Sequence, residues 1–163
     1  MRLKALIAII VAGGSMLGFR VAPTITGSPQ VQISLWSGQH GPCSTTYDFV
    51  PSLTCPSGPG DAHIGSVFLS SSLYPKHQFF FEVGEVVSDQ GTLCVRLFDV
   101  TISTAVAGSE MCETNPSPDT ALPIRVRSQA LTLVTSLDEY AVQAYGDSFY
   151  LGGFIWDARV IAR

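Results

Sequence analysis

The chain has 163 residues, of which 46% are hydrophobic, 10% aromatic and only 13% charged, with a formal net charge of −4. Soluble domains carry roughly a quarter charged residues, so this composition excludes an intrinsically disordered chain, a coiled coil and a basic nucleic-acid binder. A positive mean hydropathy with so little charge points either to a membrane segment or to an extracellular β-rich domain whose surface relies on Ser, Thr and Gln.

Arg2 and Lys4 precede an apolar run, Ala5 to Ala12, and then the small residues Gly13, Gly14 and Ser15. That order reads as a secretory signal over residues 1–20, with cleavage allowed after Gly14. A membrane anchor with Arg2 and Lys4 inside competes with it, since Met16, Leu17 and Phe19 prolong the apolar stretch. A helix buried in the core is the third alternative. Removing Arg2, Lys4 and Arg20 leaves six basic against thirteen acidic residues, about −7, a poor balance for binding nucleic acid or anionic lipid. Membrane contact is therefore expected only through an uncleaved leader. Residues 21–30 contain two prolines and a glycine and read as an extended linker, and residues 31–163 as the folded domain.

The domain reads as a succession of short strands. Val31 to Trp36 alternates with the period of two expected of a half-buried strand. A Pro/Gly/Ser/Thr-rich loop occupies 38–61, and strands follow at about 63–70, 78–87, 92–100, 105–112, 122–128, 130–134, 138–145 and 149–161. Such a series predicts an all-β fold, an antiparallel β-sandwich of jelly-roll type, preceded by an apolar leader helix.

Four cysteines, at 43, 55, 94 and 112, read as two disulfides of an oxidising compartment. A hairpin centred on Ser103 puts Cys94 and Cys112 opposite each other, each nine residues from the centre, with Gly108 able to shift the register by a bulge. Cys43 and Cys55 then close the preceding loop. No close cysteine or histidine pairs offer a zinc site, and Asp89, Asp119 and Asp147 lack neighbouring oxygen ligands at a calcium-loop spacing. No metal and no cofactor is expected.

Catalytic patterns are equally sparse. A serine-nucleophile elbow is absent, and Glu82 and Glu85 lie an odd number of residues apart in one strand, which sends them to opposite faces. No catalytic residue is expected, although a hydrolase with carboxylates assembled from loops is the competing expectation. Arg96, Arg125 and Arg127 alternate with apolar neighbours and read as a solvated sheet face paired to acids such as Glu82, Asp99 or Glu110, or as a groove for an acidic ligand. Trp36, Tyr145, Tyr150, Phe154 and Trp156 are flat rings near the ends of the fold that suit stacking on sugars if exposed and the core if not.

The pieces Arg96-Leu-Phe-Asp-Val-Thr101, Ala107-Gly-Ser-Glu110, Arg125-Val-Arg-Ser128, Leu131-Thr-Leu133, Glu139-Tyr140 and Ala158-Arg-Val-Ile161 resemble the strand order of secreted bacterial β-sandwich modules. Such modules are similar to the jelly rolls of carbohydrate-binding and adhesive surface proteins. Over residues 63–161 the resemblance implies a non-enzymatic, secreted or cell-surface module for attachment, with a glycan or surface protein as partner. A subunit of an extracellular assembly, a homo-oligomer included, is the other expectation.

Overall fold

The computed structural model describes residues 30–40, 46–50, 65–87, 91–116, 121–146 and 153–163. The leader, the linker up to residue 29, Cys43, Cys55, Asp89, Asp119, Asp147 and Tyr150 lie outside the described residues. Among the described residues there are ten strands: β1 (Val31–His40), β2 (Asp48–Val50), β3 (Ser66–Leu69), β4 (Phe79–Val87), β5 (Thr92–Asp99), β6 (Thr104–Ala105), β7 (Met111–Thr114), β8 (Leu122–Arg127), β9 (Asp138–Gly146) and β10 (Gly153–Ala162). A 3-10 turn, Ser71–Leu73, is the one helical element described.

The strands form two antiparallel sheets. The first runs β1-β10-β4-β8; in the second, β9 and β5 are central, β2 and β3 pair successive halves of β9, and β6 and β7 pair successive halves of β5. Period-two alternation turns Phe79, Phe81 and Val83 of β4 and Ala158 and Val160 of β10 inward. There they meet Leu93, Val95 and Leu97 of β5 and Tyr140 and Val142 of β9 in one buried cluster, a β-sandwich-like arrangement. Removal of these side chains from water is the main stabilising term.

Three expectations from the sequence are corrected. Residues 48–50, assigned to the loop, are β2, because β9 extends past β3 and leaves an edge for Asp48–Val50 to occupy opposite Val142–Ala144. Residues 130–134 do not form a strand. They belong to the crossover from β8 in one sheet to β9 in the other, so Leu131 makes a single bridge to Phe79 and Leu133 plugs the core. The return strand 105–112 is broken into β6 and β7.

That break sets the disulfide. β6 pairs with β5 through Phe98↔Ala105 and Asp99↔Thr104, a register centred between Thr101 and Ile102 rather than on Ser103. Residues 106–110 then bulge out, with Gly108 at φ +79°, and β7 resumes with Cys94↔Cys112. The bulge is held by Ser109, whose hydroxyl accepts the Leu97 N–H at 3.0 Å in place of a strand carbonyl. Cys94 and Cys112 are bonded, Cα–Cα 4.1 Å. The expected pair is correct, and three extra residues in the bulge restore the register that a shifted turn had displaced.

Candidate functional site

The outer face of the first sheet is assembled by register. In β4 the inward set leaves Phe80, Glu82, Gly84 and Val86 outward, and β4 lies between β8 and β10. Glu82 stands between Arg127 and Arg159, and Gly84 between Arg125 and Asp157. The Glu82 carboxylate accepts Arg127 Nε at 2.7 Å, Arg159 Nε at 2.8 Å and Arg125 Nη1 at 3.2 Å, while Arg125 Nη2 donates to Asp157 at 2.9 Å. Arg159 also donates to Gln32 of β1 at 2.9 Å. Glu82 is thereby only 2% exposed although it sits on an outer face. Burial alone would raise its pKa, but the hydrogen bonds and charges of Arg159 and Arg127 outweigh that and hold the carboxyl below its ordinary range. Arg125 is raised chiefly by its hydrogen bond to Asp157.

A β-bulge in β10 completes the site. The register of β10 on β4 shifts between Ile155 and Asp157, so Trp156 is an extra residue and both Trp156 and Asp157 project over Gly84. A Cβ at position 84 would collide with the Trp156 indole Nε1 and lie 2.5 Å from Asp157 Oδ1, so glycine is what lets the ring approach the strand. Asp157 Oδ1 in turn accepts the Gly84 N–H at 2.9 Å. The result is a half-buried indole beside a carboxylate and a guanidinium, with Phe154 further along the same face opposite Val86.

Of the residues singled out from the sequence, Arg125, Arg127, Phe154 and Trp156 therefore share one face. Trp36 is placed in β1 opposite Ala158, on the far side of β10. Tyr145 lies on the other sheet, opposite Cys94, where its ring meets Tyr47 edge-on at 4.7 Å. Arg96 belongs to that second face as well. Its guanidinium lies 3.7 Å from the Tyr47 ring centroid and donates to Gln143 Oε1 at 2.9 and 2.7 Å. Burial, then the Glu110 carboxylate, hold the Tyr47 hydroxyl above its ordinary range. Glu82 is the acidic partner expected for Arg125 and Arg127, whereas Asp99 points inward. Asp157, Arg159 and Gly84 were missed. Strand pairing, which no local pattern encodes, is what brings them to Glu82.

Glu85 is the unusual acid. It faces inward as its parity requires, is 0% exposed, and neither carboxylate oxygen has a hydrogen-bond partner among the described residues. Burial first, and the neighbouring Glu113 carboxylate second, push its pKa up to about 8. Among the described residues no group of three or more His, Cys, Asp or Glu side chains is placed to hold a metal. No described helix is long and apolar enough to cross a membrane. The sequence matches no protein-family model and no curated protein.

Proposed function

We propose that the chain is an exported, non-enzymatic jelly-roll module that attaches to surfaces by binding a glycan on the outer face of β8, β4 and β10. When β2 with β3, and β6 with β7, are each counted as one strand, the first strand pairs with the eighth, the second with the seventh, the third with the sixth and the fourth with the fifth. That order supports a jelly roll. The leader-like N-terminus and the Cys94–Cys112 bond support export to an oxidising compartment.

The observation that carries glycan binding is the bulge that sets Trp156 and Asp157 side by side above Gly84 next to Arg125. A sugar ring offers an apolar face of C–H groups and a rim of hydroxyls. An indole takes the first, and a carboxylate with guanidinium N–H donors beyond those that Glu82 and Asp157 occupy takes the second. A glycan-array screen of the full chain tests it. Binding by the wild type that falls at least tenfold in Trp156→Ala, with the fold retained, is the expected result. Undiminished binding by that variant overturns the assignment to this face.

Assembly is the second reading, favoured by the four most exposed large apolar side chains among the described residues: Phe68 at 62%, Leu73 at 64%, Leu137 at 61% and Ile102 at 57% exposure. Phe68 and Leu137 are neighbours through the Leu69↔Asp138 and Phe68↔Glu139 pairs. No glycan bound, with concentration-dependent self-association instead, moves the function to this surface.

A further inference from the structure

Between the bulge of residues 106–110 and the crossover before β9 lies a cavity of about 250 Å³, distinct from the outer-face site. Ile102, Val106, Ala107 and Val134 supply apolar wall, and Asp99 and Tyr140 supply polar groups. Its volume exceeds the roughly 150 Å³ of an apolar cavity that accommodates benzene. Asp99 ends β5 on the inward parity and is 3% exposed; Tyr140 is 1% exposed. Asp138, 4% exposed, shares the parity of Tyr140 two residues away.

Charge decides what such a cavity accepts. Every ion pair among the described residues lies on the outer face of the first sheet, around Glu82 and Asp157, and none involves Asp99 or Asp138. The described cations on adjoining elements are engaged or exposed: Arg96 is on the far face of β5 with Gln143, Arg127 is held by Glu82, and Lys76 is exposed beyond the 3-10 turn. Asp99 Oδ1 accepts the Ile102 N–H at 3.2 Å and the Tyr140 hydroxyl also hydrogen-bonds the Asp99 side chain; both donors are neutral, so no cation among the described residues is paired with Asp99. The Tyr140 hydroxyl, pushed up to about 12 by burial and then by the Asp99 and Asp138 charges, remains protonated and polar at neutral pH. Apolar walls that end in an acidic side chain with no cationic partner among the described residues complement a cation with a hydrocarbon body.

We propose that this cavity is a binding site for a small organic cation, an ammonium group on a short aliphatic or alicyclic body, with Asp99 as the charge partner and Ile102, Val106 and Val134 around the hydrocarbon. An anion of the same shape is repelled by Asp99 and Asp138, and a neutral isostere retains only the apolar contacts.

Titration of the full chain with cyclohexylamine, cyclohexanol and cyclohexanecarboxylate, followed by amide shifts, tests the site. Cyclohexylamine is expected to shift the amides of residues 105–107 and 134 and to bind at least tenfold more tightly than cyclohexanol, with cyclohexanecarboxylate not binding there. Asp99→Asn, which keeps an oxygen for the Ile102 N–H, is expected to erase the amine's advantage and leave cyclohexanol binding unchanged. Ala107→Trp, at an exposed lining position, is expected to block both and serves as the control if Asp99→Asn does not fold. Equal affinity for the amine and the alcohol, preference for the carboxylate, or shifts confined to residues outside the cavity would overturn the proposal.

Discussion

Glu82 and Glu85 are three residues apart on one strand and end in opposite electrostatic conditions. Glu82, ringed by arginines, has a lowered pKa, so the stability it contributes is present above the ordinary value of 4.5 and is lost as pH falls. Glu85, without a partner among the described residues, is raised from 4.5 to about 8, so its contribution is full below 4.5 and is lost as pH rises towards 8. The two together predict greatest stability near pH 4.5. Glu85→Gln should flatten the decline between pH 4.5 and 8 and raise stability at pH 7.5 by up to about 4 kcal/mol, by the worth of three pKa units. Urea unfolding across pH checks this; a variant as pH-dependent as the wild type in that window would contradict it. Parity alone separates these two acids in the sequence. Their partners are not legible there, because Arg159 lies 77 residues from Glu82 and meets it only by strand pairing.

The hairpin from β5 to β7 is the element in which local chemistry does most to set geometry. Ser109, 1% exposed, stands in for a strand carbonyl at Leu97, and its hydroxyl also donates to Val106 O at 2.7 Å. Ser109→Ala strands a buried N–H and is expected to cost about 1–3 kcal/mol. Cys112→Ser, which opens a loop of 18 residues, is expected to cost about 3 kcal/mol on the chain-entropy account. Denaturant midpoints of the two single variants and the double variant measure both losses and any coupling between them. Equal spacing of the cysteines about Ser103 identifies the pair, while the turn itself is displaced and compensated by the bulge. Symmetry in the sequence fixes only the sum of turn and bulge lengths, so the bulge was invisible until the register of β6 was known. The crossover before β9 was likewise unreadable. Leu131 and Leu133 alternate like a strand, but their segment connects two sheets, and among the described residues it makes one β-bridge, Leu131 to Phe79, and one backbone bond from Ser71 N–H to Val134 O.

At the scale of the molecule, the proposed glycan face lies on the first sheet, whereas Phe68 is on β3 of the second and Leu137 immediately precedes β9, so attachment and assembly can be separated by mutation. Phe68→Ser combined with Leu137→Ser should abolish self-association in sedimentation at high concentration and leave glycan binding intact. Loss of both properties would mean that the two surfaces are coupled. The low charge of the chain has a counterpart here. Three of its arginines are drawn to one carboxylate, Glu82, on the first sheet, while the strands of the second sheet carry five acids and Arg96, a net negative charge that self-association has to overcome.

The sequence by itself determined the all-β class, most strand positions, the Cys94–Cys112 pair and the opposite faces of Glu82 and Glu85, whereas the bulge in β10 decided the face of Asp157. The first four depend on the period of two and on turn chemistry, which are local. Tertiary structure decided which strands are neighbours. Neighbours decided the rest: Glu82 gathered three arginines, Trp156 came to lie over Gly84, Tyr145 went to the opposite sheet from Trp156, and Glu85 was sealed without a partner among the described residues. Pairing between distant strands is chosen by the fit of whole faces around a shared core, and no window of sequence contains both partners.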